Sequence, residues 1–180
     1  MILMEHIIRE GHETLRKRAE EVTFPLTKED RQLADDMLQY LINSQNPEIA
    51  EKYDLRGGIG LAANQVNSLK RMFALCVEDY SFVAINPKIV SHSVEMTYLS
   101  SGEGCLSVDR NVPGYVPRYA RITVKFMNVD GEEQKLRLTG LTSIAFQHEL
   151  DHLNGIMFYD RINEKDPFGP IPNATPFDRE

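Results

Sequence analysis

The segment Leu141–Leu153, LTSIAFQHELDHL, constrains the fold of this chain more than any other stretch. Its spacing predicts a helix from about Thr142 to Leu153, with Asn154-Gly155 as the stop signal. Phe146, Leu150 and Leu153 form one apolar stripe, while Leu141, Ile144 and Ala145 line the opposite face together with His148 and His152. Only Gln147, Asp151 and Asn154 supply a narrow polar strip. A helix apolar on both sides is a buried central helix. Two histidines and Glu149 would be costly there without a partner, and a metal ion relieves that cost.

Elsewhere the chain reads as helices first and strands later. Leu33, Ala34, Met37, Leu38, Leu41 and Ile42 recur at helical spacing, and Asn46-Pro47 reads as the cap and first residue of a short helix towards Tyr53. After RGGIGLAANQV the pattern turns β-rich, over 71–77, 82–90, 93–99, 104–108, 119–127 and 134–139. Residues 164–180, rich in Pro, Gly and Asp, read as an irregular tail behind a single domain of residues 1–163. The predicted class is α+β: antiparallel sheets around a central C-terminal metal-binding helix, preceded by N-terminal helices.

At 180 residues and 42% hydrophobic, the chain is long enough to bury a core. Its net charge of −7 argues against nonspecific binding to nucleic acid or anionic membranes. Arg16-Lys17-Arg18 is too short to reverse that and reads as a solvated face. No apolar run is long enough for a membrane span, and Glu5, His6 and Arg9 interrupt the apolar N-terminus where a signal peptide would need continuity. Two cysteines do not make a disulfide framework, and Cys76, inside RMFALCVED, reads as a buried strand thiol. A reducing cytoplasm is the expected location.

The chemistry centres on H-E-x-x-H. His148 and His152 lie four residues apart, so on a helix they differ by about 40° and grip one ion from one face. Glu149 lies about 100° round, within reach of a water at the ion. A third ligand is still needed. In one large group of metalloproteases it is a histidine six residues after the second, and here Phe158 stands in that position. The upstream candidates are His6, His12, His92 and Cys105. Cys105, between Gly104 and a β-type run, ranks first, because a thiolate with two imidazoles leaves a fourth position open. On composition alone, the reading as a small buried hydrophobe would win.

Three segments in order, GIGLAANQ (Gly58–Gln65), EGCLS (Glu103–Ser107) and QHELDH (Gln147–His152), resemble the peptide deformylase family. GHETLR, INPKI and HLNGIMFYDRI extend the resemblance over essentially residues 1–163. The family removes the formyl group from the N-terminal formylmethionine of new polypeptides and releases formate. The resemblance implies that Cys105, His148 and His152 are the metal ligands. It makes Glu149 the general acid/base that deprotonates a metal-bound water attacking the formyl carbon, with Gln65 and the Leu106 N–H as oxyanion donors. Gly60 would offer backbone hydrogen bonding to the substrate. It implies Fe²⁺, with Zn²⁺, Ni²⁺ or Co²⁺ able to substitute, whereas the ligand set alone points to zinc. The implied partners are formylmethionyl peptides on nascent chains, with a transient ribosome contact and no specific nucleic-acid or membrane binding.

Ile59, Leu141, Ile144 and Ala145 are candidates for the methionine slot, each with plain core packing as the bland alternative. Gln65, by its own sequence context, could as well cap a Gly-rich turn. DRNVPGYVPRYARI after the cysteine motif, with the non-helical tail, resembles the longer Gram-positive bacterial form. Two other readings compete: a general zinc endopeptidase, which would need a downstream third ligand, and a silent relative that only binds nascent chains.

Overall fold

The computed structural model describes residues 1–179. Thr27 caps the first helix, α1 (Lys28–Ser44), by accepting the Asp30 N–H at 3.0 Å, and Asn46 caps α2 (Pro47–Tyr53). Eight strands follow from β1 (Gly60–Ala62) through β2 (Met72–Val77), β3 (Tyr80–His92), β4 (Met96–Leu99), β5 (Arg118–Tyr119), β6 (Arg121–Met127) and β7 (Glu133–Thr139) to β8 (Ala174–Phe177). The third helix, α3 (Gly140–Leu153), precedes β8 and carries both site histidines. A five-stranded antiparallel sheet runs β1-β2-β3-β6-β7, and a three-stranded sheet runs β5-β4-β8 with β4 and β8 parallel.

β2 shows how the sheet serves two helices at once. Its alternate residues point to opposite faces. Phe73, Leu75 and Val77 join Ile144, Phe146 and Leu153 of α3 in one core, while Met72 and Ala74 join Ala34, Met37 and Leu41 of α1 in another. Phe73 meets Phe146 edge to face at 4.9 Å. The helix α3 is buried along almost its whole length, as the double apolar face predicts. Its polar strip is spent on anchoring: Gln147 accepts the Tyr119 N–H and donates to the Tyr119 carbonyl, both at 2.9 Å. α3 ends at Asn154, and Gly155 takes φ 75°, where a Cβ would fall 2.6 Å from the Arg16 carbonyl oxygen.

Four expectations need correction. Residues 104–108 form a turn rather than a strand, with Val108 N–H donating to the Cys105 carbonyl at 3.0 Å. The tail is not irregular throughout: Ala174–Phe177 pairs with β4. Cys76 is half-buried, since its side of β2 borders a cleft. Ile42 is 42% exposed and falls outside the stripe that α1 buries. No described helix is long and apolar enough to cross a membrane.

Candidate metal centre and cleft

Cys105, His148 and His152 converge, with one ligand atom from each lying within 4.8 Å of the others. Helix spacing places the two imidazoles on one face, and the turn after Gly104 brings the thiol over them. Cys105 Sγ lies 3.3 Å from His152 Nε2. The other upstream candidates are occupied elsewhere. His6 Nδ1 accepts the Leu3 N–H, His12 Nδ1 accepts the Thr14 N–H, and His92 stacks on Tyr119 at 3.8 Å. Phe158 fills the position of the absent downstream ligand and packs parallel to the His148 ring at 6.0 Å.

The electrostatics fit a cation. Two buried side-chain atoms here, Glu149 Oε1 and His152 Nδ1, have no protein hydrogen-bond partner, and buried polar groups rarely stay unpaired. A thiol and two imidazoles, buried together, form a donor set suited to a divalent transition metal. His148 Nδ1 donates to Glu103 at 2.8 Å, which fixes the tautomer and leaves Nε2 as the ligand atom. Burial opposes protonation of His148, but Glu149, Cys105 and Glu103 outweigh it and push its pKa up. Burial, with the charge of His148 added, pushes His152 down.

Glu103 is itself held by Arg118 through two 2.9 Å bonds. Arg118 also donates to Asp151 at 2.7 Å, and Asp151 accepts two bonds from Arg161 at 2.6 and 2.8 Å. Glu103, Arg118 and Asp151 were not singled out as site residues from the sequence. The first and last lay in plain view, inside EGCLS and between the histidines, while Arg118 had no local signal.

Above this floor opens a cleft of about 650 Å³. Every residue to which the family resemblance or the methionine slot gave a role lines it, except His152. Glu149 is 4% exposed and packs over Gly60, where a Cβ would come within 2.5 Å of its carboxylate. That contact explains the glycine. Burial pushes Glu149 up to about 7, against the pull of His148 and Arg118. Gln65 accepts the Ala62 N–H at 2.9 Å, which turns its amide NH₂ towards Ser107 at 3.1 Å and Cys105 at 3.4 Å. Ser107 therefore orients Gln65, a role its sequence position did not suggest. The Leu106 N–H donates to no protein acceptor among the described residues. Ile59, Leu141, Ile144 and Ala145 give the cleft an apolar side.

The sequence matches the family described as polypeptide deformylase over residues 4–168. This chain belongs to that family. It is 58% identical over 184 residues to peptide deformylase 2 of Bacillus anthracis, covering 99% of this chain and 100% of that one. The corresponding protein of Geobacillus stearothermophilus is 60% identical with the same coverage. These relatives support the Gram-positive-type form of the deformylase. The crystal structure of peptide deformylase from Thermus thermophilus superposes with a TM-score of 0.74 at 31% identity, covering 89% of this chain and 87% of that one. A bacteriophage VP16T deformylase solved in complex with actinonin gives a TM-score of 0.69 at 32% identity, covering 84% and 98%.

Proposed function

We propose how this chain performs the deformylase reaction, hydrolysis of the N-formyl group from the formylmethionine that begins a new polypeptide, with release of formate. Cys105, His148 and His152 would hold one divalent ion, Fe²⁺, with Zn²⁺, Ni²⁺ or Co²⁺ able to replace it. When bound, it supplies the Lewis acidity that makes a water nucleophilic near neutral pH and polarises the formyl oxygen.

The protein's own groups do the rest. Glu149 takes the proton from the attacking water and passes it to the leaving amine, so one carboxylate serves both steps. Burial that raises its pKa to about 7 suits a group that must both accept and donate near neutrality. The Gln65 amide and the Leu106 N–H donate to the oxyanion as it forms. The Gln65 bonds to Ala62 and Ser107 hold that amide in place beforehand. Ile59, Leu141, Ile144 and Ala145 receive the methionine side chain, and Gly60 offers backbone hydrogen bonds from an edge strand that only β2 covers.

The observation that carries this reading is the Glu149 carboxylate, whose Oε1 has no hydrogen-bond partner, buried over Gly60 and beside the Cys105–His148–His152 cluster. The enzyme acts in the cytoplasm on nascent chains, meets the ribosome only transiently, and needs no nucleic-acid or membrane site of its own. Incubation of anaerobically purified, iron-loaded protein with formyl-Met-Ala-Ser should release formate and leave the peptide bonds intact. Absence of formate, or cleavage between residues, contradicts the reading.

A further inference from the structure

Residues 169–179 lie beyond the stretch 4–168 that matches the family, yet one of them, Arg179, lines the cleft. β8 is fixed along β4: the Met96 N–H donates to the Asn173 carbonyl at 2.8 Å, Thr97 Oγ1 to the Thr175 carbonyl at 2.8 Å, and the Ser100 N–H to the Phe177 carbonyl at 3.1 Å. Phe177 lies against Gly140 at the start of α3, so closely that a Cβ there would stand 3.0 Å from its ring. The Ser100 hydroxyl donates to Asp178 at 2.5 Å. Arg179 follows directly, and two residues of chain beyond Phe177 span at most about 7 Å. Its range is therefore confined to one part of the rim, where it lines the same cleft as Gly60, Cys105 and Glu149.

Two other exposed charges line that cleft, one of each sign. Arg56 donates to the Val108 carbonyl at 2.9 Å and lies 3.8 Å from Asp109, and Glu78 accepts from Thr142 at 3.3 Å. Deeper in, Glu103 is neutralised by Arg118. Arg179 is exposed, and no side-chain hydrogen bond or ion pair holds it among the described residues. A peptide whose methionine fills the apolar side of the cleft leaves between two walls, Ile59–Gly60 and Leu99–Gly104. The second wall is the one that Ser100 ties to the tail.

We infer that Arg179 is a specificity-determining residue, which favours substrates carrying an acidic side chain at the second residue after the formylmethionine and disfavours basic ones. This inference rests on the deformylase reading. A solvent-exposed charge pair is weak and salt-sensitive, so the effect lies in KM at low ionic strength and leaves kcat nearly unchanged.

The test compares C-terminally amidated formyl-Met-Ala-Glu, formyl-Met-Ala-Ser and formyl-Met-Ala-Lys with iron-loaded wild type, Arg179→Ala and Arg179→Glu. The ratio of kcat/KM for the Glu and Lys peptides should exceed one in wild type. It should fall about five-fold in Arg179→Glu, the scale of losing one exposed pair and gaining one like-charge contact. Arg179→Ala should fall between the two, and raised salt should narrow all the differences. A ratio that does not move on charge reversal, while the Ser peptide is deformylated normally, overturns the inference alone. Failure of wild type to deformylate the Ser peptide overturns the deformylase reading beneath it.

Discussion

The floor of the cleft and its rim are built on opposite principles. In the floor, Glu103 holds His148, Arg118 holds Glu103 and Asp151, and Arg161 holds Asp151. The side chains of Glu103, Arg118, Asp151 and His148 are buried, Arg161 closes the set from the surface, and the ligands sit on a helix and a tight turn. The rim is assembled from a short edge strand, the segment after β4 and the end of the chain. Reacting atoms must be held to fractions of an ångström, so the floor spends charged groups on orientation. A surface that meets many different peptide sequences needs an apolar slot and backbone donors, with no more than a weak charge preference at its edge. Precision is concentrated where bonds break, and tolerance where substrates vary.

Changes to the floor should therefore cost far more than changes to the rim. Cys105→Ala should cause the largest loss, removing bound metal and lowering formate release by orders of magnitude. Unchanged metal content per chain would place the third ligand elsewhere. Gln65→Leu should keep the metal and lower kcat about 10²- to 10³-fold, the range for a lost oxyanion donor. An unchanged kcat would reduce Gln65 to a turn cap.

Arg118→Leu tests the support beneath His148. Arg118 and Glu103 have side-chain exposures of 2% and 3%, so removing the cation leaves Glu103 with His148 alone and Asp151 with Arg161 alone. Urea unfolding should show a loss of about 3–5 kcal/mol. A loss under about 1 kcal/mol would mean that Glu103 and Asp151 find other partners.

The same network sets the acid limit. Burial pushes Glu103 up, but Arg118 and His148 outweigh it and hold its pKa at about 2, below the ordinary 4.5. A carboxylate depressed in the folded state stabilises the fold above its unfolded pKa, and that stability is lost as pH falls from about 4.5 through about 2. Stability measured down that window should fall less steeply in Arg118→Leu, because the folded-state pKa is no longer held down. At the rim, Ile59→Ala should raise KM a few-fold with little change in kcat or melting temperature. A large fall in kcat there would erase the distinction between floor and rim.

The contrast also explains what the sequence made legible. The site helix, its two-sided burial and its Asn154-Gly155 stop could be read directly, because helical periodicity and chain termination are local signals. Cys105 could be ranked first from its glycine context but was decided only when the fold took the other histidines away from the site. The strand expected over 104–108 failed because its β-type composition serves a turn. β1 is three residues long, too short for alternation to show. β8 contains Pro176 and pairs in parallel with β4 across a large sequence separation, which no local pattern reveals. Arg118 reads as an ordinary surface cation until Glu103 and Asp151 are seen to enclose it.

The most direct test of the central assignment separates metal binding from proton transfer. Glu149→Gln preserves the volume packed against Gly60 but removes the base. Metal per chain and formate release from formyl-Met-Ala-Ser should be measured on the same anaerobic preparation. We expect a full complement of metal with turnover reduced about 10³-fold, the scale of a lost general acid/base. Turnover close to wild type in a metal-loaded Glu149→Gln protein would contradict the account.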